Sequence, residues 1–178
     1  MNIEKLIEDV IGREGGFVDR RADHGGPTNF GITLKTLDSV TGVRNNANSL
    51  RNIDIQTARD IYRTRYYFLP GINNLPSFIQ DFILDMAVLH GPMSAIKLLQ
   101  DVLIDYGFLV GDRDGIIGKK TIAASNLAVK LGWRRLINTL VDRRVLRYKS
   151  IVKLDNSQAC FEEGWIARAE SFRVNRVV

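Results

Sequence analysis

Cysteine is almost missing from this chain. The one example, Cys160, excludes an internal disulfide, which fits synthesis in the cytoplasm, and it reads as a small buried apolar residue. Only two histidines occur, His24 and His90, far apart in sequence. A zinc site or a Cys-His nucleophile is therefore not expected, nor is a cofactor of any kind. His90 stands directly before Gly91-Pro92 and reads as a helix end. No run approaches the ~20 apolar residues of a membrane span, so no membrane insertion is expected. The opening MNIEKLIEDV carries three acids in its first nine residues and reads as the start of a helix, not a signal peptide.

What is present supports a folded core. Of the 178 residues, 45% are hydrophobic, enough for one domain or two tightly joined subdomains. The net charge of +5 is unevenly spread. Residues 1–118 hold 12 Lys/Arg and 15 Asp/Glu, a net −3, whereas residues 119–178 hold 13 and 5, a net +8. A basic half is drawn to anionic polymers at a salt-sensitive rate, although a solvated helical surface explains the same charges.

The pattern is mainly α. Residues 3–13 carry apolar side chains at i, i+3, i+4, i+7 and i+8. Residues 14–34 read as loop and a short β-hairpin, with Phe30 and Ile32 alternating around Gly31. A helix to about Thr41 follows, then an irregular Asn-rich stretch at 45–54, then a helix from Asp54 to about Phe68. Pro70-Gly71 breaks that helix. Residues 75–90 are too continuously apolar for a surface helix and read as the central core helix. Further helices are expected from Ser94 to about Tyr106, and near 119–130, 133–153 and 158–173. The stretch Gly111-Asp112-Arg113-Asp114-Gly115 resembles the start of a calcium loop but lacks the later ligands, so it reads as a turn.

Five of the 15 glycines, Gly15, Gly16, Gly25, Gly26 and Gly31, fall within 17 residues, which implies tight turns or close backbone approach. Around them stand Glu14 at a helix end, Asp23, and Thr28. Two carboxylates and a hydroxyl so placed can face one cleft. Each also has an ordinary reading: a helix-terminal Glu is commonly only solvated, Asp before Gly-Gly is a usual turn residue, and Thr28 after Pro27 can simply close a turn.

The run Glu14-Gly15-Gly16, followed by Asp23-x-Gly25-Gly26-x-Thr28-x-x-Gly31-Ile32-Thr33, resembles the Glu-Gly-Gly family of endolysins and N-acetylmuramidases, glycoside hydrolase family 108. That family includes phage endolysins and bacterial toxin-secretion muramidases. The likeness continues through Ala58–Tyr67, Leu84–Gly91, Leu99-Gln100, Asp114–Gly118 with Thr121, and Gly164–Arg168, and so covers nearly the whole chain. The sequence departs from the family pattern at His24, where proline is usual, and at Arg20-Arg21, in place of Asp-Pro.

The resemblance implies a lysozyme-like helical fold with a small hairpin at the cleft. It implies a catalytic half at 1–92 and, packed against it, a helical peptidoglycan-recognition half at 93–178. The activity implied is hydrolysis of the β-1,4 bond between N-acetylmuramic acid and N-acetylglucosamine. Glu14 would be the acid, with Asp23 and Thr28 assisting, and by analogy with phage lysozymes the reaction would invert. The partner implied is peptidoglycan, engaged by a monomer, for phage lysis or for release of a protein or toxin across the wall. A protein made in the cytoplasm would then need a separate export or membrane-permeabilising step to reach it.

The chemistry agrees with those roles. Glycosidic cleavage needs a proton on the leaving oxygen and stabilisation of an oxocarbenium-like state, and a glutamate half-desolvated beside Phe17 can hold that proton near neutral pH. Tyr62, Tyr66 and Trp165 can stack on sugar faces, and Arg147 and Tyr148 are candidates for reading peptide stems, although packing is the stronger reading for each of the three stacking candidates. A lytic transglycosylase and a non-catalytic wall-binding protein are the alternatives. Nucleic acid is not an expected partner, because the arginines at 134, 135, 143, 144 and 147 form no recognition motif.

Overall fold

In the computed structural model, residues 3–19 and 26–175 are described, and they divide into two compact units, Met1–Leu69 and Pro70–Val178. The fold is mainly α with a small two-stranded antiparallel hairpin, as the periodicity implies.

In the first unit, α1 (Ile3–Glu14) buries Leu6, Ile7, Val10 and Ile11, the stripe its apolar spacing predicts. The hairpin follows as β1 (Thr28–Asn29) and β2 (Ile32–Thr33). Its two-residue loop has positive φ at both Phe30 (52°) and Gly31 (73°). That geometry matches the twist of the flanking strands, but it is comfortable only for the glycine. Helix α2 (Leu34–Thr41) is capped by Thr33, whose hydroxyl accepts from the Thr36 amide at 3.2 Å.

The Asn-rich stretch is not irregular throughout. It holds a short helix, α3 (Ala47–Arg51), because Asn46 caps it through the Ser49 amide at 2.9 Å and Leu50 is wholly buried. Helix α4 (Ile55–Tyr62) starts at the Asp54 cap and continues not as α-helix but as a π-helical turn, Arg63–Phe68, in which the Leu69 amide reaches back to the Thr64 carbonyl. Helix α4 and this turn lie along α1. Arg59 pairs with Glu8 and Arg63 with Glu4, each through two guanidinium nitrogens, joining residues four apart on one element to residues four apart on the other.

The second unit opens with a 3₁₀ turn, Ile72–Asn74, and the core helix α5 (Ser77–His90), in which Ile79, Phe82, Ile83, Leu84, Met86 and Ala87 are all buried. Gly91 (φ 82°) turns the chain into α6 (Pro92–Asp105), which packs back on α5. The two helices expected near 119–130 and 133–153 are present as the two arms of α7 (Lys119–Leu154), which meet at Gly132, where φ 168° and ψ 74° are non-helical. A 3₁₀ turn, Asn156–Gln158, leads to α8 (Ala159–Glu170), which packs on α7. Cys160 is exposed rather than buried, since it lies on the outer side of the first turn of α8.

Candidate active site

Glu14 is the last residue of α1. Immediately after it Gly15 adopts φ 69°, its amide returning to the Ile11 carbonyl at 3.2 Å. This left-handed cap is why the helix stops here and why glycine follows the acid. The chain then passes Phe17, whose ring lies 4.3 Å beneath the Arg51 guanidinium, to Val18. Val18 and Thr28 exchange both main-chain hydrogen bonds, at 2.8 and 2.9 Å. That pair joins the two ends of the stretch 19–27, in which Asp23 stands in sequence. Asp23 and the Glu14 side chain lie outside the described residues.

Thr28 therefore spends both its backbone groups on Val18 and stands opposite Thr33 of β2 in the hairpin register. It is half-buried, and its hydroxyl has no hydrogen-bond partner among the described residues. The hairpin is fastened by a residue the sequence did not single out. Asn29 is 3% exposed, and its side-chain amide donates to the carbonyls of Leu50 (2.9 Å) and Arg51 (3.1 Å) at the end of α3. An asparagine beside a Phe-Gly turn looks like turn chemistry, and only the fold reveals that its amide points inward.

The aromatic candidates separate by burial. Tyr66 is half-buried and tilts against Tyr62 with ring centres 5.4 Å apart. Tyr62 itself is 3% exposed and donates its hydroxyl to the Phe30 carbonyl at 2.9 Å, so its ring is not open to a sugar. Trp165 is half-exposed and stacks on the exposed Phe161 at 5.8 Å. Arg147 is exposed. Tyr148 is fully buried and, like Tyr62, is corrected from a substrate contact to a packing residue.

Tyr148 belongs to a buried polar chain within the second unit. Arg144 and Asp85, 0% and 1% exposed, pair at 2.6 Å, and Arg168 donates to the other Asp85 oxygen at 2.7 Å. Arg144 Nε donates to the Tyr148 hydroxyl at 2.6 Å, which leaves the phenolic proton for His90 Nε2 at 3.0 Å. His90 is correspondingly held neutral: burial, then the nearby Arg144 and Arg147 charges, lower its pKa to about 4. Burial pushes the Tyr148 phenol upward.

The Asp114–Gly118 block is also structural, as a turn reading requires. Gln100 accepts from the Gly115 amide at 2.8 Å and donates to the Asp114 carboxylate (2.8 Å), the Ile116 carbonyl (3.1 Å) and the Thr121 hydroxyl (3.3 Å). The Gln100 bond, followed by the Ile116 amide, holds the Asp114 carboxyl below its ordinary range. Among the described residues no group of three or more His, Cys, Asp or Glu could hold a metal, and none of their helices is long and apolar enough to cross a membrane.

The sequence pattern described as Glycosyl hydrolase 108 matches residues 7–91, and that described as Predicted Peptidoglycan domain matches residues 94–170. The solved structure of Brucella abortus SagA is similar at 32% identity and a TM-score of 0.73, over 98% of this chain and 97% of that one. The chain belongs to the glycosyl hydrolase 108 family. It is a glycoside hydrolase, and peptidoglycan is its substrate. Comparison with curated proteins returned no match. The family boundary falls between residues 91 and 94, whereas the compact units part between Leu69 and Pro70. Helix α5 thus lies in the hydrolase pattern by sequence and in the second unit by packing.

Proposed function

We propose that the enzyme is an N-acetylmuramidase that hydrolyses the β-1,4 bond between N-acetylmuramic acid and N-acetylglucosamine, with Glu14 as general acid. The observation that carries this reading is the place of Glu14 at the very end of α1. The negative end of the helix dipole disfavours an ionised carboxylate there, the sense a proton donor requires. The glycine cap beside it leaves room for a substrate backbone to approach. Asp23, which stands in sequence between Val18 and Thr28, would activate the water or stabilise positive charge, and the Thr28 hydroxyl would orient that water. Inversion requires the carboxyl groups to stand roughly 6.5–9.5 Å apart.

Tyr66 and Trp165 remain candidates for contact with sugar rings, being half-exposed. The protein would act as a monomer on the wall after a separate export or membrane-permeabilising step, in phage lysis or in release of a protein or toxin. The lone exposed thiol, Cys160, is consistent with cytoplasmic synthesis.

The deciding experiment compares wild type with Glu14→Gln on purified sacculi, with soluble products identified by mass spectrometry. Reducing muramic-acid ends from wild type, and a loss of roughly 10²–10⁴-fold or more in the variant, are expected. Anhydro ends would make the enzyme a transglycosylase. Unchanged turnover in Glu14→Gln would remove Glu14 as the acid.

A further inference from the structure

Within the second unit, one groove gathers four cationic side chains. The groove lies between α6 and the C-terminal part of α7, has a volume of about 230 Å³, and falls within the residues that match the peptidoglycan pattern. Lys97, Arg113, Arg143 and Arg147 line it, against Asp101 as the one acid. Arg113 is neutralised by Asp101 at 3.0 Å, and Arg143 by Asp105. The other two cations differ. Arg147 bonds only to a neutral group, the Ser94 hydroxyl at 3.2 Å, and Lys97 has no ion pair among the described residues. They come from opposite walls of the groove, one on α6 and one on α7.

We propose that this groove binds the free carboxylate of a peptidoglycan stem peptide. The planar Arg147 fork matches the two oxygens of a carboxylate, and Lys97 supplies a point charge from the facing wall. Leu146, exposed and also lining the groove, gives a methyl side chain of the peptide an apolar surface. Exposed charge pairs are individually weak and screened by salt. The site therefore grips poorly alone and works by adding to the hold of the glycan on the same polymer. Amidation of the carboxylate removes its charge, so the groove distinguishes amidated from free stems. The inference rests on peptidoglycan being the substrate but not on Glu14, since it concerns binding without turnover.

The test is a titration of the full isotopically labelled chain, followed by NMR, with a synthetic stem tetrapeptide carrying free carboxylates, with its fully amidated counterpart, and with inorganic phosphate. The free peptide is expected to shift amides around Ser94–Lys97 and Arg147 and to bind at least 10-fold more tightly than the amidated one. In Lys97→Met/Arg147→Met, with an unchanged unfolding midpoint, that preference is expected to vanish. Equal affinity for the two peptides in wild type, no binding of either, or shifts confined to another face would each overturn the proposal. So would phosphate binding as tightly as the peptide, which would mark a general anion site suited to phosphate-bearing wall polymers. The peptide comparison uses the wild-type protein and so stands even if the double variant fails to fold.

Discussion

The Tyr62 hydroxyl donates to the main-chain carbonyl of Phe30, 2.9 Å away and 32 residues earlier in the chain. Phe30 needs that hold, because it sits at φ 52°, where a residue with a side chain is strained. An aromatic ring expected at the substrate surface is instead the post against which the hairpin loop is fixed. Tyr62→Phe keeps the ring and deletes the bond. It should cost about 1 kcal/mol and speed amide exchange at Thr28–Thr33, measured by denaturant titration and hydrogen exchange. Unaltered exchange in the hairpin would show that the bond does not restrain it.

Asp85 receives two guanidinium groups in a site closed to water. Asp85→Asn leaves Arg144 and Arg168 facing each other without a counter-charge, and removing one partner of a buried pair costs about 3–5 kcal/mol. A fall of that order in the unfolding free energy is expected, and a loss below about 1 kcal/mol would contradict the arrangement.

His90 makes folding sensitive to acid. Its folded pKa, about 4, is below the 6.5 of the free side chain, so the unfolded chain takes up a proton that the folded chain refuses. Above pH 6.5 both states are neutral there and His90 contributes no pH dependence. As pH falls from about 6.5 towards 4 it withdraws stability, by at most about 3 kcal/mol and by less after solvent screening, because the ring is only partly buried. The difference in unfolding free energy between wild type and His90→Asn should change across that window. A difference that stays constant from pH 7 to pH 4 would be inconsistent with a neutral, shielded His90.

Gly115 sits at φ 77°, and a Cβ there would stand 2.6 Å from Met93 Cγ and 3.2 Å from the Met93 carbonyl oxygen. The thioether arm can swing aside, but the backbone oxygen cannot. Gly115→Ala should therefore lose about 1–2 kcal/mol from conformation alone and loosen the Gln100 bond to the same residue. A midpoint equal to wild type would mean that the turn relaxes freely.

Much of this architecture is legible in the chain because it is written in local periodicity. The stripe of α1, the unbroken apolar run of α5 and the alternation about Gly31 each announce their element. So does Gly15, which marks where α1 ends and hence where Glu14 stands. What the chain conceals depends on partners distant in sequence. Tyr62 and Tyr148 look like surface rings until Phe30 and His90, 32 and 58 residues away, claim their hydroxyls. Short blocks around Leu99-Gln100, Asp114–Gly118 and Thr121 read as separate weak likenesses, yet they are one hydrogen-bonded knot around a single amide. Cys160 looks apolar by type, and its exposure follows only from which side of α8 meets α7. The helix in the Asn-rich stretch is hidden for another reason: five residues are too few to show a period.

The clasp between Val18 and Thr28 is made by main chain on both sides. It does not depend on which side chains occupy residues 20–25, so that segment can be rewritten without unfastening its two ends. Arg20-Arg21 and His24 fall inside that span. Selection can thus vary the sequence between the two ends while the frame that follows α1 is inherited unchanged, much as a tool keeps its handle while its bit is exchanged.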